Sequence, residues 1–360
     1  MNHIDHNPKI GTQMKRRSNR NLLVYSALAA GLLSLSLNGV SAEASSAALL
    51  ETKYPVTIQN CSGPITYTAA PKRVITLDDQ MTDTLIQLGL SNRIVGIMKF
   101  ETDAQEWSAT KSVVLGLHKF TTGLIKSSGY PTLESVQALN PDMVTSVYSS
   151  AFSATYGPAT QARLASLKIN SYESIQSCEK DASKPLYDFS KLYLDIHNLG
   201  MIFNVQQKAN NLIASIKNQV LAQQERAKSA GLGSYSISTA CINGANTCSM
   251  GVGMPNAIIN LTGSKYALVK DDIDPNTSVS WETYVKRNAQ VIWVITDLGD
   301  SAAAIEKVYL NNPKLKSMTA VENRAFLPVS YNEAVPSPRS VDGLKHMIDG
   351  LILLKSEHKI

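Results

Sequence analysis

Tyr148, Trp107, Phe100, Tyr331 and Arg339 fall in polar segments that follow runs of β-branched and aliphatic residues. Such segments begin where a buried strand ends. Aromatic faces there can grip a flat or greasy guest, and a guanidinium can neutralise an anionic one. The same kind of segment holds Asp78-Asp79-Gln80, Asn243 to Met254 and Asp297 to Asp300. The four histidines beyond residue 42 (His118, His197, His346 and His358) form no ligand set, which argues against a histidine-built site for a bare zinc or manganese ion. Gly251-Val252-Gly253-Met254-Pro255-Asn256 lacks the third glycine of a dinucleotide loop, and Pro255 interrupts it. There is no Gly-x-Ser-x-Gly elbow, no phosphate loop and no His-Glu-x-x-His helix, so an enzymatic reading has no motif behind it.

The elements that must position these residues alternate. Val74 to Leu77 reads as a buried strand, Met81 to Leu88 has helical spacing, and Gly89 supplies a left-handed cap. Strands follow at Ile94 to Met98, Met143 to Val147 and Ile169 to Tyr172, the last after a helix closed by Leu164 and Leu167. Pro185 is placed to open a helix running to about Gly200. The next helix carries Val205, Ala209, Leu212, Ile213, Ile216 and Val220 on one face, and if it reaches Ala230 it spans roughly 39 Å. Gly231-Leu232-Gly233 ends it. The second half repeats the pattern, with strands at Tyr235 to Thr239, Val291 to Ile295 and Ala325 to Val329. Helices are expected at Ile258 to Leu261, Trp281 to Arg287, Ala302 to Val308 and Val341 to Leu354. Alternation of this kind predicts an α/β fold with two Rossmann-like lobes, each with a central, mostly parallel sheet, joined by one long helix. The expected divisions are an N-terminal extension and the start of the first lobe over residues 43–72, the N-terminal lobe over 73–184, connecting helices including the backbone helix over 185–230 and a C-terminal lobe over 231–360.

Residues 1–42 stand apart. Lys15, Arg16, Arg17 and Arg20 precede an uncharged apolar run from Leu22 to Leu37, and Val40-Ser41-Ala42 offers a cleavage site. That is the layout of a secretory signal, and the absence of cysteine near its end argues against a lipid anchor. Its removal takes five basic residues and one acidic residue, lowering the formal charge from +5 to +1, so the basic balance gives no argument for a nucleic-acid partner. Cys61, Cys178, Cys241 and Cys248 all lie in the exported part, where an even count in an oxidising compartment reads as two disulfides with three pairings open. Cys241 and Cys248 are near enough to staple one loop, which would leave Cys61 for Cys178. Their spacing does not fit a zinc knuckle.

An internal echo links the halves. Residues 133–147 read LESVQALNPDMVTSV and residues 281–295 read WETYVKRNAQVIWVI, which aligns Glu134 with Glu282 and Asn140 with Asn288.

Several stretches, in this order, resemble the iron–siderophore and cobalamin family of periplasmic ABC-transporter substrate-binding proteins. They are Ala70-Pro71-Lys72-Arg73-Val74-Ile75-Thr76-Leu77, Thr82-Asp83-Thr84-Leu85 through Leu88-Gly89-Leu90, Arg93-Ile94-Val95-Gly96, Leu133-Glu134-Ser135-Val136 with Leu139-Asn140-Pro141-Asp142, Trp281-Glu282, Ala320-Val321-Glu322-Asn323 and Pro336-Ser337-Pro338-Arg339. The opening at Asn60-Cys61, paired with a cysteine closing the first lobe, resembles a subgroup of that family. Asp83, Asn288-Ala289-Gln290 and Ser337 depart from the family's usual residues. The resemblance implies a periplasmic monomer with a ligand cleft between two lobes and a rigid backbone helix, for which residues 205–230 are the candidate. It implies no enzymatic activity and no resident cofactor. The expected cargo is a ferric siderophore, with a corrinoid or haem as the alternatives, tyrosine being a known axial ligand of haem iron. By the same resemblance Glu134 and Glu282 would dock the two lobes onto arginines of the inner-membrane permease, carboxylate and guanidinium matching in a bidentate contact.

Overall fold

The computed structural model describes residues 50–98, 111–178, 188–243, 246–248, 253–268, 279–296 and 301–360. The proposed signal segment therefore lies outside the described residues. Among the described residues no helix is long and apolar enough to cross a membrane.

The chain enters through an antiparallel hairpin, β1 (Val56–Asn60) and β2 (Gly63–Tyr67), where the sequence reading assigns an extension and the start of the first lobe but no strand. A disulfide from Cys61, just past β1, to Cys178 ties this hairpin to the end of the first lobe. The first lobe is built on β3 (Val74–Thr76), β4 (Ile94–Met98), β5 (Lys119–Phe120), β6 (Met143–Ser146) and β7 (Asn170–Glu173). They form one parallel sheet in the order β5-β4-β3-β6-β7. Its helices are α1 (Asp79–Gln87), α2 (Lys111–Gly116), α3 (Leu133–Ala138) and α4 (Gln161–Ser166). Gly89 ends α1 with φ of +72°, as the sequence suggests.

Helix α5 (Phe189–Phe203) corrects two expectations. Pro185 lies outside the described residues, and the helix opens with Asp188 as cap, its carboxylate accepting from the Ser190 and Lys191 amides. It also runs past Gly200 and ends on Asn204, which is left-handed. Gly200 is instead a contact point: a Cβ there would lie 2.5 Å from the Ala209 Cβ of the following helix. That helix, α6 (Gln206–Ser229), has 24 residues and so measures about 36 Å. It packs on α5, which belongs to the first lobe, and further along on a C-terminal helix of the second.

The second lobe begins with β8 (Ser236–Asn243) and an antiparallel partner, β9 (Asn246–Cys248). Next come α7 (Met254–Leu261), β10 (Lys265–Tyr266), α8 (Trp281–Arg287), β11 (Val291–Thr296), α9 (Ala302–Asn311), α10 (Thr319–Glu322) and β12 (Phe326–Ser330). The chain closes with α11 (Tyr331–Ala334) and α12 (Ser340–Ser356). The parallel part of this sheet has the order β10-β8-β11-β12. Backbone register sets Cys241 opposite Cys248 across β8 and β9; their side chains lie outside the described part.

The echo is a structural repeat. Thr132 caps α3 and Ser280 caps α8; each hydroxyl accepts an amide three residues on, and Glu134 and Glu282 follow in the first turns. Asn140 (φ 47°) and Asn288 (φ 43°) are both left-handed, and β6 and β11 begin three residues later in each case. Asparagine tolerates that backbone conformation better than other residues carrying a Cβ, so the matched pair has a local physical cause.

Candidate functional site

In an open parallel sheet, ligands bind beyond the carboxyl ends of strands where the strand order reverses. In the first lobe the reversal falls between β3, which pairs with β4, and β6 on its other side. Two side chains define this corner. Asp78 follows β3 and caps α1, with Oδ1 accepting from the Met81 amide at 2.7 Å, while Oδ2 accepts from the Val147 amide at 2.7 Å. One carboxylate thus fixes the start of α1 to the end of β6 and sets the position of Tyr148.

Tyr148 reaches the other lobe. Its hydroxyl lies 2.6 Å from that of Tyr331, the first residue after β12. Beside this pair, the Gln80 side-chain amide donates to Asn332 Oδ1 at 2.9 Å, and Asn332 Nδ2 donates to Asp79 Oδ2 at 3.1 Å. Arg339 Nε sits 3.4 Å from Asp83 Oδ2, which also accepts from Gln87 at 2.7 Å. Helix α1 is consequently buried from Asp79 through Leu85, polar residues included. The segment from α11 to α12 is shaped by serines: Ser337 Oγ donates to the Asn332 carbonyl, Ser340 Oγ to those of Val335 and Ser337. Gly343 lets α12 approach α11, since a Cβ there would sit 2.2 Å from the Glu333 carbonyl oxygen.

Of the ligand residues suggested by sequence, Tyr148, Tyr331 and Arg339 converge on this joint, Arg339 lying against Asp83. Phe100 and Trp107 lie outside the described residues. Sequence reasoning missed Asp83 and Tyr130 as members; the Tyr130 hydroxyl bonds Ser150 at 3.0 Å just behind Tyr148. Asp83 had one available signal, an acidic residue in the middle of a helix whose apolar spacing already committed Met81 and Leu85 to the core. Among the described residues no cluster of three or more His, Cys, Asp or Glu could hold a metal ion. Glu134 and Glu282 are solvent-exposed, and Glu282 pairs with Lys314 at 2.7 Å.

Burial pushes the Asp78 carboxyl up to about 6, outweighing its backbone and Ser146 hydrogen bonds. The folded state therefore holds this proton more tightly than the unfolded chain, where the value is 3.8. The resulting stability is fully present below 3.8 and is lost as pH rises through about 6. On moving from pH 7.5 to pH 5 the protein should gain about 1 kcal/mol relative to Asp78→Asn, read from urea midpoints. Parallel pH profiles for the two proteins would rule out titration of Asp78 in this range.

Comparison with known proteins gives this geometry a family. The sequence profile of the periplasmic binding proteins matches residues 74–327. An uncharacterized ABC transporter substrate-binding lipoprotein of Bacillus subtilis, YvrC, is 25% identical over 303 residues, covering 83% of this chain and 86% of that protein. A periplasmic binding protein from Veillonella parvula superposes with a TM-score of 0.68 at 21% identity, covering 80% of this chain and 93% of its own. A structure from Saccharomonospora viridis described as an ABC-type Fe3+-hydroxamate transport system gives 0.67 at 23% identity, covering 83% and 99%. The periplasmic haem-binding protein RhuT of Roseiflexus gives 0.59 at 15% identity, covering 78% and 98%. With two parallel sheets, a shared helix and a polar joint between the lobes, this chain belongs to the periplasmic binding protein family.

Proposed function

We propose that this exported protein captures a ferric siderophore between its lobes and delivers it to an inner-membrane permease. The observation carrying this reading is the meeting of Tyr148 and Tyr331 at 2.6 Å, each directly beyond the carboxyl end of a parallel strand of its own lobe. A bulky guest entering there would replace one hydroxyl contact by two of its own. The aromatic faces suit a large chelate, and the lack of a histidine or carboxylate cage among the described residues suits a metal that arrives already chelated. The likeness to a ferric-hydroxamate transport protein supports the same choice. Haem is the second reading, favoured by the pair of phenols and by the haem-binding neighbour.

The test is equilibrium binding of a ferric trihydroxamate, haem and cobalamin, followed by quenching of tryptophan fluorescence. A ferric trihydroxamate should bind most tightly, with a Kd near or below about 1 μM. Tyr148→Phe and Tyr331→Phe should each weaken it about tenfold, the value of one hydrogen bond in a desolvated site. Tightest binding of haem moves the assignment to the second reading, and binding of none of the three overturns both.

A further inference from the structure

We propose that helix α1 is the pivot of the cleft. A guest parts the lobes at Tyr148 and Tyr331, while the Asp83–Arg339 and Gln80–Asn332 contacts stay closed in the free and the loaded protein. The inference rests on the reading of the tyrosine pair as the point of ligand entry, and it says how that site opens. Contacts between α1 and the rest of the joint follow one another along the helix axis. The cap, Asp78, holds the Val147 amide and with it Tyr148, whose hydroxyl meets that of Tyr331. Next come Asp79 and Gln80, both bonded to the Asn332 side chain. One turn further is Asp83, in an ion pair with Arg339. Past the end of the helix, a Cβ on Gly89 would lie 2.6 Å from the ammonium of Lys208 on α6. Five residues, about 7.5 Å of helix, separate Asp78 from Asp83. The tyrosines therefore stand at the end of α1 away from the backbone helix, and the ion pair lies between.

The second lobe is fastened to the same frame. Arg339 stands at the start of α12, and further along that helix Asp349 pairs with Arg226 of α6. The Lys355 ammonium donates to the carbonyls of Ala230 and Gly231, just past α6, at 2.9 and 2.7 Å. Helices α1, α6 and α12 thus close a triangle, with Asp83 and Arg339 at the corner where the lobes touch directly. Burial is graded in the same direction. Asp83, Gln80 and Asn332 are 1%, 2% and 2% exposed, whereas Tyr148 and Tyr331 are only partly buried. Parting a buried ion pair strands both charges and is costly. Parting two phenols that water can reach exchanges one hydrogen bond for those of water or guest, a small net change. A rotation centred on the inner contacts therefore opens the tyrosine end first.

The experiment breaks the inner contact and reads binding. A ferric trihydroxamate is titrated into the unmodified protein, Asp83→Asn, Arg339→Gln and the double variant. Either single change should weaken binding about tenfold, because only about a tenth of the molecules then hold the lobes in register. The double variant should lose no more than either single one, since both changes sever the same contact. Weaker binding by Arg339→Gln with equal or tighter binding by Asp83→Asn would make Arg339 a guest contact and overturn the pivot. Unchanged binding in both variants overturns it as well. Small-angle scattering of the unmodified protein decides the matter if the variants do not fold. Loading should change the radius of gyration by less than about 1 Å, roughly a twentieth of the value for a compact chain of this size. A larger change means that the lobes part along the whole of α1, and the pivot falls while the ligand site stands. If the trihydroxamate does not bind, haem or cobalamin takes its place. Binding of none of the three overturns the reading of the tyrosine pair as the ligand site, and the pivot with it.

Discussion

Reversing both exposed glutamates, Glu134→Lys with Glu282→Lys, should reduce permease-dependent uptake below detection while leaving ligand affinity unchanged. The two carboxylates occupy equivalent positions in a repeated unit, one in each lobe, in the first turns of α3 and α8. In a parallel sheet the connecting helices run back against the strands, so helix N-termini lie on the side of the strands' carboxyl ends, the side on which the ligand joint forms. A permease offering arginines to both carboxylates would thereby read the two lobes together. Replacing each carboxylate by an ammonium turns two attractive contacts into repulsive ones, and like-charge juxtaposition at an interface costs several kcal/mol. Neither substitution touches the core, and surface changes of this kind are usually within about 0.5 kcal/mol for folding. Glu282 has a local partner: the Lys314 ammonium bonded to it holds its carboxyl below the usual range. A permease arginine must compete with that lysine, so Lys314→Ala should leave uptake intact or raise it. The check is uptake in reconstituted vesicles beside fluorescence titration of the free protein. Full uptake by the doubly reversed protein would remove both residues from docking.

The fold was legible where physics is local. The alternation of short apolar runs with amphipathic stretches located most of the strands, and α8 and β4 matched end to end. Helix α6 was readable from a single apolar face and the glycines after it. The β1–β2 hairpin left a signal in the alternating burial of Ile58 and Asn60, but the run is short and partly polar. The joint was only half legible. Tyr148, Tyr331 and Arg339 could be placed on loops, yet nothing in sequence pairs Gln80 with Asn332, 252 residues away, or sends Arg339 to Asp83. A helical pattern shows which face is apolar; it does not show that the polar face is covered by a second lobe. That is why α1 reads as amphipathic and is found buried on its polar face as well.

The lobes share more than a linker. One apolar cluster runs from Met81 and Leu85 through Leu199 and Ile216 to Ile292 and Met347, joining both sheets. On contacts alone that continuity would suggest a single domain, but the two sheets share no strand. The helices α5 and α6 supply the continuity. A joint of this type resists wide opening, because separating the lobes there would expose packed aliphatic surface at about 25 cal/mol per Å².

The attachment of α5 to the first sheet depends on one buried acid, and the largest stability loss is expected from Asp195→Ala. Asp195 is 5% exposed; its Oδ1 accepts from the Tyr172 hydroxyl at 2.6 Å and the Ile175 amide at 3.1 Å, and its Oδ2 from the Ser174 hydroxyl at 2.5 Å. Asn198, one turn further along α5, donates to the Tyr172 oxygen at 3.2 Å. Tyr172 and Ser174 flank the end of β7, so this carboxylate holds the last strand of the first lobe to α5. Alanine removes the acceptor and leaves three donors stranded in a site that water cannot readily enter. Removing one member of such a buried charged network costs about 3 to 5 kcal/mol. Asp195→Asn keeps the shape and one acceptor and should cost less than half as much. Tyr172→Phe combined with Asp195→Ala should be less destabilising than the sum of the two single changes, because the stranded phenol is gone. Urea unfolding of the four proteins gives the coupling directly. A loss below about 1 kcal/mol for Asp195→Ala would mean that water or a rearranged side chain takes over the donors, and that α5 is held to the sheet by its apolar face alone.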